Sequence, residues 1–373
     1  MPKFPDIKQA LRTQDIEVLT TVVPDFIRDE SDGFTQALQQ MMYLTANEQY
    51  GDGHPTGLVY LDAVRDLSTL YEQDIQDAIP LMEHALRFFC TLELQEWDKD
   101  LVGVKPEHFG ESVFVGDLSE YVRDGEREKA IEESSKLLRM MDNQFYLVEI
   151  LTEIAASTNA GDGWPVILAD AALKSVDFVE SSQFKPIVYQ LTDYLSRLNI
   201  GWGTGEFKSD PTSPMTFDRY YDLALTSGDE NRRELLLLTH TQQVWEGVRM
   251  KQGEIRARLA YWFDERFGEF REAGSVEYEP KSAELSDIVS AIRNEEREKA
   301  LAFVLGYLQN AGGLGILFRG LTDIFLERAI PEDPDDLIHW NALRTAIAYT
   351  SPPQQYQAFV RAVEMLMDMG NRE

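Results

Sequence analysis

The fold is decided by the stretch Leu118-Ser119-Glu120-Tyr121-Val122, closely followed by Arg127-Glu128-Lys129-Ala130. A near copy reads Leu285-Ser286-Asp287-Ile288-Val289 and then Arg297-Glu298-Lys299-Ala300, so that Arg127 has its counterpart in Arg297. At the same offset along the chain, Leu151-Thr152-Glu153-Ile154 recurs as Leu321-Thr322-Asp323-Ile324. Two matches in one register are hard to credit to chance, so we interpret the segment as a duplicated unit.

Two further copies are predicted from loops and turns. The loop Gly51-Asp52-Gly53-His54-Pro55 recurs later in the chain as Gly161-Asp162-Gly163-Trp164-Pro165. Short polar turns also recur: Arg12-Thr13-Gln14-Asp15, Arg123-Asp124-Gly125-Glu126, Ser227-Gly228-Asp229-Glu230 and Arg293-Asn294-Glu295-Glu296. The sequence therefore predicts one array of about four repeats, the third diverged, over residues 5–100, 117–200, 216–271 and 284–371.

Apolar residues recur at steps of three and four rather than in alternation. Residues 356–369 show this in Tyr356, Phe359, Val360, Val363, Leu366 and Met367, which form one stripe on a helix. We find no series of alternating, strand-like runs divided by hairpin turns. The pattern predicts an all-α chain whose helical repeats form a right-handed superhelical array.

This organisation resembles that of armadillo/HEAT-type helical repeat proteins, at the level of class alone, because these repeats are longer and match no consensus. The resemblance covers most of the chain and implies a curved superhelix whose concave face binds a partner. A non-enzymatic protein that binds a protein, a basic peptide or a small ligand in an acidic groove is the function that we expect.

The composition narrows the choice of partner. The chain has 373 residues, with 35 Lys and Arg against 65 Asp and Glu, and a formal net charge of −30. A nucleic-acid partner and an anionic membrane surface are disfavoured by this charge. No secretory signal and no apolar run of about 20 residues are found, so we expect a cytoplasmic protein. The oligomeric state stays open.

The candidate ligand-binding residues come from the repeated loops and the tryptophans. In the loops, a structural role explains the glycines, the prolines at a helix start and the capping aspartates, but leaves the His/Trp position unexplained. We therefore nominate His54 and Trp164, with His339 as a loose counterpart in the last repeat. Trp202, Trp245 and Trp340 are candidate groove aromatics, and ordinary core packing is the alternative for each.

A transition metal is the remaining cofactor hypothesis, with His54, His240 and His339 as candidate ligands. Metal ligands must converge on one ion at about 2.0–2.2 Å. Equivalent positions in successive repeats are instead expected to lie tens of ångströms apart, given roughly 8–10 Å between neighbouring helices. Only a closed ring of repeats would bring them together. No cofactor is predicted outright, and the lone Cys90 is expected to be a small buried apolar residue.

The alternative function is enzymatic. The segments His54-Pro55-Thr56-Gly57-Leu58 and Leu337-Ile338-His339-Trp340-Asn341-Ala342-Leu343 are similar to His-led helical segments of the questin oxidase-like family. The resemblance implies a His-assisted or metal-assisted oxidoreductase that oxygenates aromatic substrates with little help from cofactors. Trp164 departs from the family's pattern, which puts the second loop in doubt.

Overall fold

The computed structural model describes residues 3–103, 114–141, 143–158, 160–198, 200, 217–226, 232–267, 278–310 and 312–370. The regular secondary structure of these residues is helical, and they form no strand apart from an isolated bridge between Glu48 and Leu94. The all-α prediction is confirmed. Among the described helices, none combines the length and the apolar character that crossing a bilayer requires.

Nineteen α-helices are found in the described ranges. In chain order they are α1 Phe4–Thr13, α2 Ile16–Asp29, α3 Gly33–Thr45, α4 Gly57–Ser68, α5 Ile79–Phe89, α6 Lys99–Val102, α7 Val115–Arg123, α8 Arg127–Met140, α9 Gln144–Ala155, α10 Trp164–Phe178, α11 Lys185–Arg197, α12 Phe217–Thr226, α13 Arg232–Gly247, α14 Gln252–Phe267, α15 Leu285–Arg293, α16 Arg297–Gln309, α17 Leu314–Arg328, α18 Pro334–Tyr349 and α19 Pro352–Gly370.

The chain divides into two compact units. Unit 1 comprises Met1–Asp62, Phe89–Met215 and His240–Glu269, and unit 2 comprises Ala63–Phe88, Thr216–Thr239 and Phe270–Glu373. Each unit thus takes helices from distant parts of the sequence. The four repeats predicted above are divisions of the sequence with other boundaries, and they stay a prediction.

In unit 1, the helices of the first duplicated segment pack on one another. Helix α8 lies against α7 and α11, and α9 lies against α10. The core of this packing is apolar, with Leu118, Ile131 and Leu147 fully buried. Polar residues join α3 to the same group, because Gln190 Nε2 donates to the carbonyl of Thr45 at 3.0 Å.

In unit 2, helix α19 forms the centre of the packing and contacts α12, α16, α17 and α18. Aromatic rings fill the space between α17 and α18. The ring of Trp340 stacks on Phe325 with centroids 4.7 Å apart and lies 5.1 Å from Phe318. Burial of these large apolar rings is the main stabilising term for such a bundle.

The helix bounds follow the duplicated register. One constant offset relates the first residues of α7, α8, α9 and α10 to those of α15, α16, α17 and α18, respectively. The turn after the first helix of each segment also has one conformation, with a positive φ at Gly125 (73°) and at Glu295 (59°). Gln14, between α1 and α2, has the same feature at 50°. A left-handed backbone conformation is unfavourable for residues that carry a side chain. Its recurrence at three matched turns therefore indicates that the helices on either side of each turn have the same arrangement.

Candidate functional site

The two repeated loops meet in unit 1. The ring of His54 stacks on that of Trp164, with centroids 5.3 Å apart and an angle of 23° between the planes. Trp164 Nε1 donates a hydrogen bond to the carbonyl of Pro55 at 3.3 Å, and the Trp164 residue is 8% exposed. The two residues nominated from the loops therefore form one contact.

This contact corrects the expectation that equivalent positions lie tens of ångströms apart. Helices α4 and α10 follow the two loops and contact each other through Lys174 Nζ on α10, which is 3.2 Å from Asp62 Oδ2 on α4. Loops at the start of neighbouring helices then meet at the same end. The expected distance assumed that several helices separate equivalent positions in successive repeats. The two loops instead precede helices that contact each other directly.

The role of the prolines is confirmed for one loop. Pro165 lies in the first turn of α10, behind Gly163, whose φ of 85° gives the sharp entry. Pro55 instead precedes α4 by two positions. The carboxylate that satisfies the start of α4 is that of Glu48, which accepts from Gly57 N at 2.8 Å and Thr56 N at 3.2 Å. Burial raises the pKa of Glu48, against the opposing effect of these hydrogen bonds.

A pocket of about 470 Å³ opens beside the His54 loop. Its lining residues are Tyr50, Gly51, Asp52, Gly53, His54, Arg127, Tyr194, Arg197 and Leu198. This volume lies in the range of small-molecule sites, roughly 300–1,000 Å³. The lining combines aromatic rings with two guanidinium groups, which is the mixture that binds and orients a small ligand.

A buried carboxylate orients the pocket's polar groups. Asp193 has a side chain that is only 2% exposed, and it pairs with Nε of Arg127. Its Oδ2 atom lies 3.0 Å from an Arg197 terminal nitrogen and accepts the Tyr50 hydroxyl at 2.5 Å. Arg197 also donates to the carbonyl of Gly51 at 2.9 Å, which ties the loop to α11. One anion thus fixes three donors around the pocket.

Tyr50 remains a neutral donor. Burial, followed by the charge of Asp193 and its hydrogen bond, raises the pKa of the Tyr50 hydroxyl well above its ordinary value. The Arg197 guanidinium lies over the Tyr50 ring, 4.7 Å from its centroid. Both features hold the phenol in place as part of the wall.

The second tyrosine of the pocket pairs with the histidine. The Tyr194 hydroxyl and His54 Nδ1 are 2.7 Å apart, and the two rings meet edge to face with centroids 5.7 Å apart. Because Trp164 stacks on the face of the imidazole, His54 is held in one orientation. A fixed histidine at a pocket wall can accept or donate a proton or a hydrogen bond.

A separate group of charged side chains lies buried between α4, α10 and α13. Lys174 Nζ contacts Asp170 Oδ2 at 2.7 Å, Asp62 Oδ2 at 3.2 Å and Gln243 Oε1 at 2.7 Å. His240 Nδ1 lies 2.6 Å from the same Asp170 oxygen. Asp62 and Asp170 are each 1% exposed. Burying such charges is costly unless they are paired, so this cluster is a second feature that packing alone does not require.

The other nominated residues lie elsewhere. Trp340 is fully buried among Phe318 and Phe325, and its Nε1 donates to Thr322 Oγ1 at 3.0 Å, so the prediction of a groove role for it is corrected to core packing. Trp245 is half-buried beneath the guanidinium of Arg256, 5.4 Å from the ring centroid. Trp202 lies outside the described residues.

His339 does not match the loop positions. Trp164 is the first residue of α10, and its counterpart in the duplicated register is Pro334, the first residue of α18. His339 lies further along α18, beyond its first turn, and belongs to unit 2. The predicted correspondence of His339 with His54 and Trp164 is therefore wrong, because a helix of fixed register leaves no room for the insertion that it required.

The described residues provide no set of ligands for the predicted metal ion. Within the described ranges, no three side chains of His, Cys, Asp or Glu are grouped so that they could hold a metal ion. His54 is paired with Tyr194 and His240 with Asp170. Cys90 is half-buried rather than buried, and burial, with a smaller effect of Asp15, raises the pKa of its thiol to about 11. It stays protonated at neutral pH.

Sequence reasoning missed most of the pocket. Arg127 belongs to the duplicated element from which the repeat was inferred. Tyr50, Asp193 and Tyr194 belong to no motif that the sequence shows. Their meeting depends on the packing of α8 against α11 and on the path of the loop before α4. A weak signal did exist, since Asp193 and Arg197 are four residues apart, which is the spacing of an ion pair on one helix face. No protein-family model, no curated protein and no solved structure matches this chain.

Proposed function

We propose that this chain is a helical repeat protein that binds a small ligand in the pocket beside the His54 loop. The matched bounds of α7–α10 and α15–α18 support an array of repeats, and a right-handed superhelix of armadillo/HEAT type is the arrangement that we propose for it. Cytoplasmic location remains part of the proposal, as does the absence of a nucleic-acid partner and of a membrane partner.

One observation carries the proposal: the buried carboxylate of Asp193 holds Tyr50, Arg127 and Arg197 around an open pocket. Such an arrangement is costly in a helical core, where apolar residues would pack as well. It also gives rigid polar groups of the kind that binding sites require. Of the partners expected from composition, a small ligand fits a pocket of about 470 Å³ better than a protein or a basic peptide does.

The test is a fragment screen by saturation-transfer-difference NMR, with small polar and aromatic molecules at millimolar concentration. Wild type is compared with His54→Ala, which removes one side chain from the pocket wall, and with His339→Ala as the matched control. Both histidines are half-buried, so their replacement perturbs similar amounts of surface. We expect hits that His54→Ala loses and His339→Ala keeps. Hits that neither variant changes would place the binding site elsewhere.

The second candidate is the His-assisted oxidoreductase, and the 2.6 Å contact of His240 Nδ1 with Asp170 favours it. A carboxylate that holds Nδ1 fixes the tautomer and orients the imidazole for proton transfer, as in acid–base dyads. The check is oxygen uptake in the presence of hydroxylated aromatic substrates, with wild type and His240→Gln. Uptake that depends on His240 would place this candidate first, and its absence with every substrate would leave ligand binding.

A further inference from the structure

We propose that the ligand of the His54 pocket carries an anionic oxygen group, a carboxylate or a phosphate, and that Arg127 and Arg197 recognise it. This inference rests on the proposed function and specifies the chemistry of its ligand. Such a ligand differs from the basic peptide that was one of the expected partners of an acidic groove.

The first argument is the placement of the two guanidinium groups. Both arginines line the pocket, and their side chains are 45% and 36% exposed, so they reach solvent at the pocket mouth. Arg127 uses Nε for Asp193, and its planar fork carries two further nitrogens. A guanidinium held at one edge presents the other edge in a fixed direction, which suits two parallel hydrogen bonds to a carboxylate or phosphate.

The second argument is the position of the compensating charge. Asp193 does not line the pocket and is 2% exposed, so its charge is shared among Arg127, Arg197 and Tyr50 behind the wall. The acid that does line the pocket is Asp52, which is exposed in the loop. Asp193 balances one of the two guanidinium charges, so one positive charge remains for a bound group, and water screens the opposing charge of the exposed Asp52.

The third argument comes from the duplicated segment. Arg297 occupies the place of Arg127 at the start of α16 and pairs with Asp368 on α19. There the aspartate is 38% exposed, against 2% for Asp193. An ion pair between this arginine and the last helix therefore recurs, although the register counterpart of Asp193 is Val363 and not Asp368. Burial of the pair beneath a pocket is particular to the first segment, as a function added to the repeat would require.

The experiment uses three probes of one shape and different charge: benzoate, benzamide and benzamidine. Their dissociation constants for the 373-residue chain are measured by ligand-observed NMR at low ionic strength, and phenyl phosphate and inorganic phosphate separate carboxylate from phosphate recognition. We expect benzoate or phenyl phosphate to bind roughly ten- to hundred-fold more tightly than benzamide, as charge-assisted hydrogen bonds allow. Benzamidine is expected to bind most weakly.

The variants are Arg127→Met and, as the matched control, Arg297→Met. Arg127→Met should remove most of the preference for the anion, whereas Arg297→Met should keep it. Arg127→Lys retains the charge and the pairing with Asp193 but loses the fork, so it should retain part of the preference and serves if Arg127→Met fails to fold. Asp52→Asn should tighten anion binding a few-fold by removing a like charge.

The outcomes separate the two proposals. Equal binding of all three probes, or tightest binding of benzamidine, contradicts anion recognition and leaves a ligand pocket. An anion preference that survives in Arg127→Met also contradicts it. If no probe and no molecule of the fragment screen binds at millimolar concentration, the proposed function itself fails, and the inference fails with it.

Discussion

Two ion pairs that are formed by matched arginines differ in what surrounds them. Arg127 pairs with Asp193 in the first duplicated segment, and Arg297 pairs with Asp368 in the second. The two acids are not counterparts of one another, since the same offset relates Asp193 to Val363. The first pair lies under Tyr50 beside an open pocket, while the second lies at the surface with both partners more than one-third exposed.

The difference teaches how a site can arise in a duplicated fold. The contact between the second helix and the last helix is common to both segments, as is the exposed pair formed by Glu126 and Lys129 or by Glu296 and Lys299. The first segment differs because a loop from outside it, which carries Tyr50 and His54, packs beside its ion pair. The scaffold repeats, whereas the site depends on a loop that lies outside the two segments.

The largest expected effect concerns the buried aromatic core of the second segment. Trp340→Ala should lower the free energy of unfolding by about 4 kcal/mol, since removing a fully buried aromatic ring leaves a cavity. Trp245→Ala, at a half-buried ring of α13, should lower it by less than half as much. Urea denaturation followed by circular dichroism measures both. Equal losses would show that Trp340 is not the core residue that its burial indicates.

The next effect bears directly on the two ion pairs. Asp193→Ala should cost about 3 kcal/mol, because a buried carboxylate that is removed leaves two arginines and Tyr50 without their acceptor. Asp368→Ala should cost about 0–1 kcal/mol, as is typical of exposed pairs. The two variants are compared in the same urea titration. A similar cost for both would remove the contrast on which the site assignment rests.

The pH dependence of stability tests the contrast between His54, which has polar partners, and His84, which is buried beside an aromatic ring. His84, in unit 2, is 5% exposed and lies 6.5 Å from the Phe325 ring. Burial lowers its pKa to about 4, against smaller opposing effects of Glu332 and of the Ala329 backbone. The unfolded chain then binds a proton that the folded chain does not. Stability should therefore fall as the pH drops from about 6.5 to about 4, by up to about 3 kcal/mol.

The measurement is the urea midpoint of wild type and His84→Phe between pH 4 and 7. In His84→Phe this part of the acid sensitivity should be absent, and the two curves should converge near neutral pH apart from a constant packing term. The parallel replacement His54→Phe is the control in unit 1. Parallel curves for wild type and His84→Phe would show that another group causes the loss.

The smallest expected effect is that two matched surface variants leave the stability unchanged. Lys129 pairs with Glu126 and Lys299 pairs with Glu296 on the surface of matched helices. Lys129→Ala and Lys299→Ala should give urea midpoints that equal one another and equal that of wild type within error, because solvent screens exposed pairs. A clear difference between them would show that the two segments diverge even on their shared surface.

The sequence determined the helical class and the duplicated register, because both are local. A stripe at steps of three and four specifies a helix, and the offset that relates Arg127 to Arg297 reappears in the starts of all four matched helix pairs. It also placed His54 and Trp164 in one kind of loop. These properties follow from the nearest neighbours along the chain and need no knowledge of packing.

Only the tertiary structure decided which polar residues meet. Tyr50, Arg127 and Asp193 come from three places in the chain, and their contact depends on the packing of α8 and α11 and on the path of the loop before α4. The same packing brought His54 to Trp164, and that of unit 2 buried Trp340. Burial and charge pairing are properties of surroundings, and in a duplicated chain identical local sequences can have different surroundings.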